Sequence, residues 1–216
     1  MTNTRIVSAL MLALTLLCTI PASGQLKGSV LNQNLWNAAA AGNLATVLSD
    51  IRLGAGVNWP SPNEGGAPAL EPAARNGHLD VVQALVAAGA NVNQTDTIRR
   101  KTPLLAASFG SQDAVVNYLL TVPGIDVNWH ALNDWTPALD ASWVGDLNIV
   151  QALVAHGADV TTPNKYGETP LQAAELALGN CYTSPGPLKV CPVSQGNSKA
   201  TQAQYETLVA YLESLN

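Results

Sequence analysis

The residues able to do chemistry are few and scattered. Three histidines and three cysteines occur in 216 residues, and no two of the histidines are close enough in sequence to share one helical face. A zinc hydrolase of the common type would need His-Glu-x-x-His, a thiolate site Cys-x-x-Cys, a phosphate cradle a glycine-rich loop, and a serine hydrolase Gly-x-Ser-x-Gly; none is present. His156 immediately precedes a glycine that ends a predicted helix, where an imidazole faces the negative helix end. His130 falls in a polar stretch and is read as merely exposed. Carboxylates come one or two at a time. Asp80 and Asp113 stand in the first turns of predicted helices, where their charge complements the helix dipole. No pair is placed for one carboxyl to donate while another accepts. The chain is therefore read as a non-enzyme, with no cofactor and no metal.

What stands out instead is five tryptophans among side chains that are mainly alanine, leucine and valine, with a single phenylalanine. The frame that must position them is repetitive. "GHLDVVQALVAAGANVN" (Gly77–Asn93) returns almost unchanged as "GDLNIVQALVAHGADVT" (Gly145–Thr161). The glycines that end the repeated helix are Gly54, Gly89, Gly124 and Gly157, at spacings of 35, 35 and 33 residues, and a second column holds Gly42, Gly77, Ser111 and Gly145. Thr102-Pro103, Thr136-Pro137 and Thr169-Pro170 open alanine-rich helices, with Thr as N-cap and Pro in the first turn. A second helix follows, with Leu79, Val82, Leu85 and Val86 on one face. Gly89 supplies the left-handed residue that ends it. No unit can bury its apolar stripe alone, so the units must stack.

The two ends differ from this frame. Met1–Arg5 carries one positive charge, Ile6–Ile20 is uncharged and apolar, Pro21 breaks the run and Ala22-Ser23-Gly24 offers small residues for cleavage. That order predicts a signal peptide over residues 1–24, and a mature chain of residues 25–216 that is periplasmic or secreted and leaves the membrane after cleavage. An uncleaved anchor is the alternative. Export leaves two cysteines, Cys181 and Cys191, and favours a disulfide between them over a metal site. Without Arg5 the formal charge is 10 − 1 − 15 = −6. An acidic chain with no basic stripe is a poor ligand for nucleic acid, and none is expected.

In its period and in segments such as "TPLLAASFGSQDAVVNYLLTVPGIDVN" the chain resembles the ankyrin repeat family, here as an exported protein of bacterial type. The resemblance implies an all-α repeat solenoid of about five units, each a helix-turn-helix with a finger loop, spanning roughly 30–58, 59–93, 94–128, 129–161 and 162–216. The last unit is interrupted over about 179–203 by a Pro/Gly/Ser-rich stretch, read as a surface loop pinned by Cys181–Cys191. The family's signature histidine is missing: Trp36, Glu71, Leu105, Leu139 and Gln172 hold its positions. In the family that histidine ties neighbouring loops together, so its loss bears on rigidity and not on fold. His78, in the turn of "GHLD", occupies a place where the family commonly has a structural histidine. "PALEPAA" replaces the Thr-Pro opening of the second unit, which predicts a late helix start or a kink near Pro72.

The resemblance also sorts the aromatics. Columns at the end of the first helix (Arg75, Phe109, Trp143) and at the finger base (Lys101, Trp135, Glu168) line the concave binding face in such arrays. Phe109, Trp135 and Trp143 then form an apolar patch, with Arg99, Arg100 and Lys101 as a basic fingertip beside it. Trp59 and Trp129 start fingers at matching positions and either pack between fingers or join the face. Aromatic and arginine side chains dominate protein-binding hot spots, so the expected partner is a protein, met by a monomer. An immunity or support protein for an exported enzyme is one specific form of this reading. The competing classes are a membrane-tethered scaffold and a small-molecule receptor or enzyme with a deep polar pocket.

Overall fold

The computed structural model describes residues 28–182 and 200–215. Within them the chain forms ten α-helices in five pairs. The inner helices are α1 (Gly28–Ala40), α3 (Leu70–Arg75), α5 (Pro103–Phe109), α7 (Pro137–Val144) and α9 (Pro170–Tyr182). The outer helices are α2 (Leu44–Arg52), α4 (Leu79–Ala87), α6 (Asp113–Leu120), α8 (Leu147–Ala155) and α10 (Gln202–Glu213). Inner helices pack in sequence on one another, outer helices likewise, and each pair packs across its own turn. The array is thus the all-α solenoid that the repeat demands. Among the described residues there is no helix long and apolar enough to cross a membrane. The signal segment 1–24 and the Cys181–Cys191 pairing lie outside what is described.

The caps behave as their sequence requires. The Thr102 and Thr136 hydroxyls accept from the backbone N–H of Leu105 and Leu139. Thr169 and Gln172 make a reciprocal pair, and Thr201 with Gln204 forms a full capping box on α10. Gly89, at φ +88°, closes α4 in the left-handed region; Gly77, at φ +78°, makes the turn between the helices of the second unit, and Ser111, at φ +53°, holds the corresponding turn of the third without glycine's freedom. The second unit has no Thr and no side-chain cap at Ala69, and α3 starts at Leu70, one residue later than the aligned starts at Pro103 and Pro137. Pro72 sits in the first turn of that short helix, where its missing N–H removes no intrahelical bond, so the late start replaces a kink.

Val47, Val82, Val116 and Val150, at matching positions in the first four units, are fully buried, as are Leu85, Leu119 and Leu153. In α4 the buried stripe is Val81, Val82 and Leu85, with Leu79 and Val86 at its half-buried margins. The inward face is therefore turned slightly from the one that the sequence suggested. The last inner helix runs on through residues 179–182, so the interrupting stretch begins as helix. Tyr205 of α10 is buried against Ala177 and Ala200 beside Trp143, and its hydroxyl donates to the Trp143 carbonyl at 2.7 Å.

Two sets of hydrogen bonds couple the layers in place of the missing histidine. On the turns after the outer helices, Asn58 donates to the Gly89 carbonyl (3.1 Å) and accepts from Asn91 N–H (2.7 Å). Asn93 does the same with Gly124 and Asp126, and Asn128 with Gly157 and Asp159. The ladder stops at Thr161, where the tail reads "DVT". Between fingers, Thr97 N–H donates to Gly65 carbonyl (2.7 Å), Leu132 N–H to Arg99 carbonyl (2.8 Å) and Lys165 N–H to Asn133 carbonyl (3.1 Å). His78 adds a bond from its Nε2 to the Ala40 carbonyl at 3.1 Å, joining the first two units.

Candidate functional site

Two of the fingers are tight loops held by a polar residue of their own. In the second, the Asp96 carboxylate accepts from the backbone N–H of Ile98, Arg99 and Lys101, which lets Arg100 adopt φ +56°. In the fourth, Asn164 accepts from Tyr166 and Glu168 N–H and donates to the Glu168 carboxylate at 2.8 Å. The fingers stand beside the inner helices, and two adjoining hollows open between them. The larger, about 550 Å³, is lined by Trp36, Glu71, Arg75 and the first two fingers. The smaller, about 370 Å³, is lined by Leu105, Ala131, Leu132, Asn133, Trp135, Asp140 and Trp143. Arg99, Lys101 and Phe109 line both and form the wall between them.

The aromatics are oriented by mutual contacts. The Trp135 and Trp143 rings meet edge to face, at 90° with centroids 6.2 Å apart. The Lys101 ammonium lies 4.4 Å from the Phe109 ring centre, a cation–π contact that holds the lysine over the groove. Trp143 and Phe109 end their helices in corresponding positions, so successive units present one large ring each.

Sequence reasoning placed Arg75, Arg99, Lys101, Phe109, Trp135 and Trp143 on one face, and all six line these hollows. Three others lie elsewhere. Trp129 donates its indole N–H to the Arg100 carbonyl (2.7 Å), and the Arg100 guanidinium covers the Trp129 ring at 5.3 Å. That pair braces adjacent fingers and lines neither hollow. Glu168 is half-buried and bonded within its own finger. The reason is register: Trp129 and Trp135 flank the same finger, but only the one nearer the helix turns toward the inner face.

Two carboxylates were missed as site residues. Glu71 of α3, noted in the sequence only for replacing the signature histidine, is buried in the larger hollow. Its burial raises its pKa, partly offset by Arg75 at 3.8 Å. Asp140 of α7 is 5% exposed, and its Oδ2 has no hydrogen-bond partner. Burial pushes its pKa up to about 7, against the pull of Lys101 and then Arg99. The signal available was positional: Ala106 and Ala173 stand at the matching place in the flanking units, so an acid there breaks a small-residue column. The Trp36 indole N–H is likewise buried without a partner at the edge of the larger hollow.

The arrangement can hold aromatic or aliphatic side chains and offers both signs of charge. It does not assemble a nucleophile, a base and an oxyanion site. Among the described residues no three His, Cys, Asp or Glu side chains converge as metal ligands.

Comparison with known proteins agrees with the repeat fold. A family model for ankyrin repeats in three copies matches residues 103–182, and a single-repeat model matches residues 73–97. Alpha-latrocrustotoxin-Lt1a of Latrodectus tredecimguttatus is 37% identical over 97 residues, 44% of this chain and 7% of the toxin. A protein of Fowlpox virus (strain NVSL) named for its ankyrin repeats, FPV031, is 36% identical over 106 residues, 48% of this chain and 31% of its own length. The chain thus spans under a third of either curated relative, and the likeness is one of repeats.

Proposed function

We propose, from the premise that this chain is an ankyrin repeat protein, that it is an exported module that binds one protein partner in the groove between its fingers and inner helices. A protein-interaction role is what arrays of this kind serve. The finer reading rests on one observation: Phe109, Trp135 and Trp143 stand half-buried along a groove rimmed by the exposed Arg99 and by Lys101. Aromatic anchors inside a polar rim are how hot spots are built. Export to a periplasmic or extracellular space rests on the Met1–Gly24 pattern alone, and support or neutralisation of an exported enzyme is one form that the partnership takes.

The test is affinity capture from the exported fraction of the source organism, comparing the native protein with Trp135→Ala and with Lys101→Ala. A protein held by the native form and lost from Trp135→Ala supports the reading; identical captures overturn it. N-terminal sequencing of the mature protein tests export: a chain beginning at Gln25 supports it, and one retaining Met1 favours the membrane-tethered scaffold.

A further inference from the structure

The smaller hollow carries more information than its outline. The rings of Phe109, Trp135 and Trp143 line it together with Asp140, which keeps one carboxylate oxygen buried and without a donor. A buried acceptor of this kind is costly unless something supplies a proton donor. Lys101 and Arg99 do not: neither makes an ion pair with any described residue, and Lys101 is stacked on Phe109. An occupant that relieves this brings the donor itself, packs against aromatic rings and tolerates the two cations that line the hollow.

Those three conditions discriminate among side chains. Lysine or arginine brings donors but enters between Arg99 and Lys101, where like charge opposes it. Phenylalanine, leucine and methionine suit the walls but leave Asp140 unmet. Tyrosine suits all three: its ring packs edge or face against the tryptophans, and its phenolic O–H donates to the carboxylate. Acidic residues on either side of it then meet the cations at the rim.

From this we infer that the partner enters the hollow with a tyrosine side chain carried on an acidic segment, its hydroxyl bonded to Asp140. The inference rests on the reading of the groove as a protein-binding face and names what that face selects.

Random peptides displayed on phage and selected on the full chain, with counter-selection on Trp135→Ala, test both. The expected winners carry tyrosine flanked by Asp or Glu and depend on Trp135. In the synthetic winner, Tyr→Phe weakens binding about tenfold to a hundredfold, the scale of a hydrogen bond to a charged group. Asp140→Ala in the protein weakens it equally, and the two changes together cost no more than either alone. The alanine is tolerated in the fold because Ala106 and Ala173 already hold that position in neighbouring units. Winners that need Trp135 but carry lysine, arginine or no tyrosine overturn the inference while the binding-face reading stands. A selection whose winners ignore Trp135, or that yields none, overturns both.

Discussion

Along the turns after the outer helices, Asn58, Asn93 and Asn128 each engage both ends of the side-chain amide with the next unit. Across the array, in the groove, the Asp140 carboxylate and the Trp36 indole are buried with polar atoms that bond to nothing described. The same repeating backbone carries both edges, so the contrast is in what the side chains are for. On the one edge these asparagines couple the layers; on the other, two polar groups are left unmet beside aromatic walls, at a cost in stability. The Asn93-Gln94-Thr95 sequon falls on the coupling edge, with the Asn93 amide already engaged on both sides.

Substitutions on the two edges should separate stability from binding. The largest effect is expected from Trp143→Ala, because that ring serves both: it lines the groove and packs beside Tyr205, so partner binding is lost and unfolding in urea shows about 2–3 kcal/mol less stability. Trp135→Ala should lose binding with little change in stability; if it destabilises the protein as much as Trp143→Ala, the groove wall is core and the contrast fails.

Next is Asp140→Ala, expected to stabilise the protein at pH 8, where the native fold must bury an ionised carboxylate. The sign follows from the raised pKa: between about 4 and 7 the native state holds a proton that the unfolded chain releases, so stability falls as pH rises through that window and levels off above it. The charges that oppose this shift are Lys101 and then Arg99. Urea midpoints measured from pH 4 to 8 should show that slope in the native protein and a flatter one in Asp140→Ala. An unchanged slope would place the ionised carboxylate in water.

Asn93→Ala should cost about 1 kcal/mol by freeing the Gly124 carbonyl and the Asp126 N–H, with partner affinity unchanged. A fall in affinity would mean that the two edges are mechanically coupled. Smallest is Lys101→Ala, which removes a half-buried cation–π contact worth about 1 kcal/mol and should move the urea midpoint little while lowering affinity for acidic peptides, an effect weakened by salt.

Much of the fold was legible because its determinants are local. Thr102, Thr136 and Thr169 cap the helices that their Thr-Pro dipeptides announce, and the glycine column ends the outer helices where its spacing places it. The column alignment also brought Phe109, Trp135 and Trp143 to one face. It did not bring Trp129 and Arg100 to the hollows, since their contact runs between adjacent fingers, 29 residues apart in sequence. It gave no notice of the asparagine ladder, because "VN" reads as a turn until the next unit offers its glycine carbonyl.

The sequence by itself determined the unit, its caps and breaks, its stacking and the column that each aromatic occupies, since helix periodicity and capping depend on residues within a few positions of one another. Only the tertiary structure decided that Asp140 loses its water and Trp129 becomes a brace. Burial of a carboxylate follows from the finger carrying Arg99 and Lys101 closing over a helix more than thirty residues away, and desolvation is a property of that enclosure and not of any local pattern.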